Sequence, residues 1–182
     1  MAFDPERHRR RSIRLQEYDC SQAGAYLVTL CTHDRRDLLG GIGNGSMQLN
    51  RFGEIVQACW QDLPLRYPDM ELDAFVVMPN HLHAIVLLPV GAIHELPLQD
   101  YRIQRRRMLL PKIVGYAKMN TAKRINQLRD TPGAPVWQRN YYEHVIRDEA
   151  SLSNIRLYIA ENPMRWADDE ENPINISKRT GH

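Results

Sequence analysis

The chain has 182 residues, 43% of them hydrophobic and 25% charged, with a formal net charge of +2. These are the proportions of an ordinary soluble globular domain, with length enough to bury a real core. No apolar run approaches the roughly 18 residues of a membrane span, no apolar stretch follows the basic N-terminus as a signal peptide requires, and Cys20, Cys31 and Cys59 are too irregularly spaced for a disulfide framework, which points to reduced thiols and a cytoplasmic location.

Residues 1–20 are basic, polar and aperiodic, with Arg7, Arg9, Arg10, Arg11 and Arg14, and are expected as an arm leading into the fold. Ala25 to Thr32 is an apolar, β-rich run, the first strand. A glycine-rich connection follows (Gly40, Gly41, Gly43, Gly45), with a short strand near Met47–Leu49. From Asn50 the period changes. Phe52, Ile55, Val56, Cys59, Trp60 and Leu63 recur at i, i+3, i+4, i+7, which predicts a helix capped by Asn50 and closed by Pro64 and Pro68.

Leu72–Met78 and Leu82–Leu88 read as two strands. Pro79 and Asn80 between them are turn formers, so an antiparallel pair is expected. Residues 90–108 carry Pro97 and a dense arginine run and are expected as a loop or lid. Pro111 suits a first helical turn, and Lys112 to Leu128 reads as a helix with the stripe Ile113, Ala117, Ile125 and Leu128. Val136 to Ile146 is expected as a strand. Asp148 then caps a last helix to about Glu161, stopped by Pro163, and 164–182 reads as a loose polar tail. The order β-α-β-β-α-β within this series predicts an α+β, ferredoxin-like antiparallel sheet with helices on one face and the other face free for a ligand.

Charge is segregated along this plan. Tyr101 to Arg129 holds nine basic residues and no acid, while Asp168-Asp169-Glu170-Glu171 gathers four acids. Such a pattern favours a polyanion-binding surface over a merely solvated one. Lys112, Lys118, Lys123 and Arg124 on the helix, and Arg9, Arg10 and Arg11 in the arm, are the candidate nucleic-acid contacts.

Two further pairs carry chemistry. His81 and His83 at i, i+2 on a strand project from one face, about 6–7 Å apart, where two neutral imidazoles can hold a divalent metal. The plain alternative is two hydrogen-bonded histidines. Tyr158 and Asn162 at i, i+4 share one helix face. Tyr158 is a potential nucleophile toward phosphorus. Asn162 offers a carbonyl oxygen as third ligand for Mg²⁺ or Mn²⁺. Here the alternative is amphipathic packing and a C-cap.

Met78-Pro79-Asn80-His81-Leu82-His83 resembles the His–hydrophobic–His (HUH) motif of the single-strand DNA transposases and relaxases. Trp137 to Arg147 and Tyr158-Ile159-Ala160-Glu161-Asn162-Pro163 are similar, in content and order, to segments of the one-tyrosine branch, in particular the REP-associated tyrosine transposases. The resemblance covers roughly residues 20–166. It implies a catalytic domain at 21–166, flanked by the arm at 1–20 and a tail at 167–182. It implies the HUH endonuclease fold, metal ligands His81, His83 and Asn162, and Tyr158 as nucleophile. It also implies a 5′-phosphotyrosine intermediate in hairpin-associated single-stranded DNA. The extended ends are more similar to the monomeric REP-associated branch than to the dimeric insertion-sequence branch.

Rival assignments follow from the same residues. Tyr141 and Tyr142 compete as nucleophiles but fall on a predicted strand, where sheet packing or base stacking suits them. His144 is expected to be structural or to support the site, and Asn80 to be a turn residue. A decayed relative that binds hairpin DNA without cutting it is the alternative function. An unrelated metal hydrolase fits the basic stripe less well.

Overall fold

The computed structural model describes residues 24–88, 109–169 and 171–175. Strand β1 (Gly24–Cys31) alternates as a pleat requires: Tyr26, Val28 and Leu30 enter the larger apolar cluster, Ala25 and Leu27 the smaller one on the opposite face. β2 (Gly40–Gly43) and β3 (Ser46–Leu49) form a separate hairpin in the glycine-rich connection, where one short strand was expected. Helix α1 (Arg51–Gln61) begins on Asn50, whose side-chain oxygen accepts from the amides of Phe52 and Gly53 at 2.9 and 3.1 Å. Gly53 lets the helix meet the preceding loop: a Cβ there would lie 2.2 Å from the Leu39 carbonyl oxygen. Pro64 does not close α1. The chain turns at Asp62, and Pro64 enters the first turn of the short α2 (Leu63–Arg66), where its missing amide hydrogen costs nothing.

β4 (Glu71–Val77) and β5 (His81–Leu88) are the expected antiparallel pair. Helix α3 (Leu109–Leu128) starts earlier than its periodicity indicated. It buries Ile113, Ala117 and Ile125, but its end residue Leu128 is exposed. The strand expected over Val136–Ile146 is shorter, β6 (Tyr142–Ile146), preceded by an isolated bridge between Trp137 and Thr32. The Lys118 ammonium explains the interruption: it donates to the carbonyls of Gln138 and Arg139 at 2.6 and 3.1 Å, which draws the segment toward α3. Helix α4 (Glu149–Glu161) is capped by Asp148, which accepts from the Ser151 amide at 2.7 Å.

The four long strands pair antiparallel in the order β4-β5-β1-β6, the ferredoxin-like arrangement. The crossover helices α1 and α3 cover one face over the larger cluster. The other face is not left open. α4 lies across it, and Leu152, Ile155 and Ile159 pack on Ile85, Ile146, Ala74 and Val76. The arm at 1–20 and the loop at 90–108 lie outside the described residues. No helix among the described residues is long and apolar enough to cross a membrane.

Candidate active site

β5 alternates, and that alternation places the histidine pair. Leu82, Ala84, Val86 and Leu88 face the crossover helices; Ile85 and Leu87 face α4. His81 and His83 have the parity of Ile85 and therefore share the α4 face. Their ring centroids are 4.5 Å apart at an interplanar angle of 67°. Both are buried. Burial drives the His81 pKa well below the usual imidazole range, helped by His83 and Arg35, and burial alone lowers His83 to about 4. Both rings are thus neutral near pH 7, the form in which an imidazole binds a metal.

Each histidine is oriented by a neighbour. His81 Nδ1 lies 2.8 Å from Asn80 Oδ1, and His83 Nδ1 lies 2.7 Å from Thr29 Oγ1, its cross-strand partner on β1. The distal nitrogens differ. His83 Nε2 is 3.1 Å from the Tyr158 hydroxyl, whereas His81 Nε2 is buried with no hydrogen-bond partner. Trp166 closes one side, its ring centroid 5.9 Å from that of His81.

Tyr158 and Asn162 come one turn apart on α4, as their spacing predicts. Tyr158 is 39% exposed and so reachable from solvent while it touches His83. Asn162, the C-cap, is buried; its Nδ2 donates to Asp169 Oδ2 at 2.9 Å, and its Oδ1 has no partner. Asp169 was not among the expected ligands. Its other oxygen accepts from the Glu171 amide at 2.6 Å. One ligand atom each from His81, His83 and Asp169 lie within 4.8 Å of one another. The segment expected as a loose tail therefore folds back on the site, at least over the residues described up to Asn175.

Cys31 shares this face, opposite His81. Its thiol donates to Glu171 Oε2 at 3.4 Å, and Glu171 also pairs with Arg35. Burial, then the Glu171 charge, push the thiol up to about 12, so it stays protonated near pH 7. Two neutral imidazoles and a carboxylate form a mixed nitrogen–oxygen set that fits a divalent cation. The partnerless buried His81 Nε2 and Asn162 Oδ1 agree with that fit.

The remaining candidates separate by position. Tyr142, opposite Thr29, and His144, opposite Leu27, are exposed on β6, and Tyr141 packs on the larger core. Lys112, Lys123 and Arg124 are exposed on α3, on the far side of the sheet from the histidines. Lys118 is committed to the carbonyls before β6, a structural task its sequence position did not reveal. Arg9, Arg10 and Arg11 lie outside the described residues. Sequence reasoning missed Asp169 and Thr29. Trp166, a large aromatic in an otherwise polar stretch, was the available sign that the chain after Pro163 packs on something.

No family model matches the chain. An uncharacterized protein of Haemophilus influenzae is 38% identical over 172 residues, which span 90% of this chain and 93% of that one. A second protein of that organism, provisionally named a REP-associated tyrosine transposase, is 25% identical over 147 residues, 81% of this chain and 74% of that one. Among solved structures, a REP-associated tyrosine transposase bound to a REP hairpin aligns with a TM-score of 0.51 at 20% identity, covering 84% of this chain and 73% of that chain.

Proposed function

The chain belongs to one family with the Haemophilus influenzae protein of 38% identity and is a relative of the REP-associated tyrosine transposases, and on that premise we propose that it is a metal-dependent, single-stranded DNA nuclease and strand transferase that works through Tyr158. The carrying observation is the meeting, within one chain, of the Tyr158 hydroxyl with the buried histidine pair, 3.1 Å from His83 Nε2.

In this reading His81 and His83, with Asp169 or the Asn162 carbonyl, would hold a divalent cation, which when bound would supply Lewis-acid stabilisation of phosphate charge. α4 orients Tyr158 for attack. The Oη–P bond forms as the P–O3′ bond breaks, leaving DNA on Tyr158 through a 5′ phosphate. The phenolic proton lost is balanced by the proton gained at the released 3′ oxygen. The link keeps the energy of the phosphodiester, so a second 3′-hydroxyl can reverse it and transfer the strand.

Hairpin DNA as substrate rests on the kinship and on the exposed Lys112, Lys123 and Arg124. Their charges would add affinity that falls with salt. A site built within one chain supports action as a monomer.

The test incubates wild type and Tyr158→Phe with end-labelled hairpin oligonucleotides from the host's repeats, with Mn²⁺ or with EDTA. A metal-dependent covalent adduct in wild type, absent in the variant, is expected. An adduct that survives in the variant would move the nucleophile to Tyr141 or Tyr142. Binding without an adduct under any metal would leave a hairpin-binding protein.

A further inference from the structure

Asn80 is fully buried in the turn between β4 and β5, and every polar position of its side chain is used. Nδ2 donates twice, to the Arg35 carbonyl at 3.1 Å and to the Glu171 carbonyl at 2.8 Å. Oδ1 faces His81 Nδ1 at 2.8 Å. The amide cannot be turned over, since a flip would set its oxygen against two carbonyl oxygens. Oδ1 can only accept. The hydrogen in that contact must therefore sit on His81 Nδ1, and in the neutral ring Nε2 is then a bare lone pair. That nitrogen is the buried, partnerless one.

His83 is not determined in this way. The Thr29 hydroxyl can donate or accept, and so can the Tyr158 hydroxyl, so both His83 tautomers keep both bonds. The backbone around Asn80 is held just as firmly. The Asn80 carbonyl accepts from the Thr32 amide at 2.8 Å, and Arg35 sits in the left-handed region, φ 52°, with its carbonyl on the Asn80 amide. Glu171, tied by its carbonyl to the same amide, lies two residues from Asp169 and donates its own amide to the Asp169 carboxylate.

We propose that Asn80 is a positioning residue: its side-chain amide locks His81 in the Nδ1–H tautomer, presents a bare Nε2 to the His83–Asp169 group, and anchors the segment that carries the acid. This rests on the metal reading above for the use of that nitrogen, but not for the tautomer itself. It gives the Pro79-Asn80-His81 turn a chemical role beyond chain reversal. Groups that orient a ligating histidine typically change metal affinity about 10–100-fold when removed.

The experiment has two arms. Long-range ¹H–¹⁵N spectra of the metal-free wild type at neutral pH assign the His81 tautomer with no substitution. Mn²⁺ binding is followed by electron paramagnetic resonance in wild type and Asn80→Ala, with circular dichroism to confirm folding. Expected are a single His81 species with hydrogen on Nδ1, its replacement by a mixture or the Nε2–H form in Asn80→Ala, and a fall in Mn²⁺ affinity of about 10–100-fold. Hydrogen on Nε2 in wild type overturns the proposal, as does a folded Asn80→Ala that keeps the wild-type tautomer. If wild type shows the expected tautomer but binds no Mn²⁺, the metal reading falls and the control of His81 by Asn80 stands.

Discussion

His83 is held neutral by its surroundings, and this has a cost that depends on pH. In the unfolded chain it takes up a proton near the ordinary 6.5; in the folded protein it does so only near 4. Above 6.5 both states are neutral and the stability is fully present. Between 6.5 and 4 the unfolded chain binds the proton and the folded one does not, so stability falls with pH, by on the order of 3 kcal/mol over that window. Thermal melts from pH 7 down to pH 4 should show a falling midpoint, and His83→Asn should reduce that slope, with buried His81 contributing the remainder; an unchanged slope would mean that the His83 ring is not buried. The pair itself was legible in the sequence, because period-two alternation sends residues 81 and 83 to one face whatever surrounds them. Asp169 was not. It reaches the site through the path of the chain after α4, where no periodicity announces a destination, and four neighbouring acids conceal which one turns inward.

Helix α4 rests on a narrow apolar seam, with Ile159 its one buried residue among those described. A second attachment stabilises it. The register of β4 against β5 shifts between Leu72 and Phe75. Leu72 and Phe75 pack on the crossover-helix side, Ala74 on the α4 side. The extra residue of such a bulge lets Asp73 and Ala74 both turn to α4. Asp73 there accepts two hydrogen bonds from Arg156 Nε, at 3.0 and 3.1 Å, and one from Nη2 at 2.6 Å. Asp73→Asn should loosen α4 selectively: amide exchange should quicken in α4 and not in α3, and, on the proposed function, adduct formation through Tyr158 should slow while hairpin affinity holds. Equal exchange in both helices would show that the seam alone holds α4. The helices themselves were readable from caps and apolar stripes, which are local. The bulge was not, since it is a property of two strands together. β6 came out shorter than its composition indicated because Lys118, 20 and 21 residues away in sequence, captures the carbonyls of 138 and 139.

At the scale of the molecule the central sheet is a wall with different business on each side. One face carries the main core and, beyond it, the exposed cations of α3; the other carries the histidine pair under α4. Stacked layers stand roughly 10 Å apart, so a nucleic acid touching both α3 and Tyr158 has to pass around an edge of the sheet rather than lie flat on one surface. The ferredoxin-like order could be read from the succession of elements, as each crossover leaves little topological choice. What the succession could not reveal is that the last helix closes over the face opposite the crossovers.

The Tyr158–His83 contact also sets an order of events. Whichever of the two carries the hydrogen, the contact occupies His83 Nε2, so a cation could not bind that nitrogen while the phenol stays there. On the proposed reading, Tyr158 and the cation would compete for that one atom. Such linkage is reciprocal. Tyr158→Phe should therefore bind Mn²⁺ more tightly than wild type by calorimetric titration, and equal affinity would mean that the two do not compete in solution.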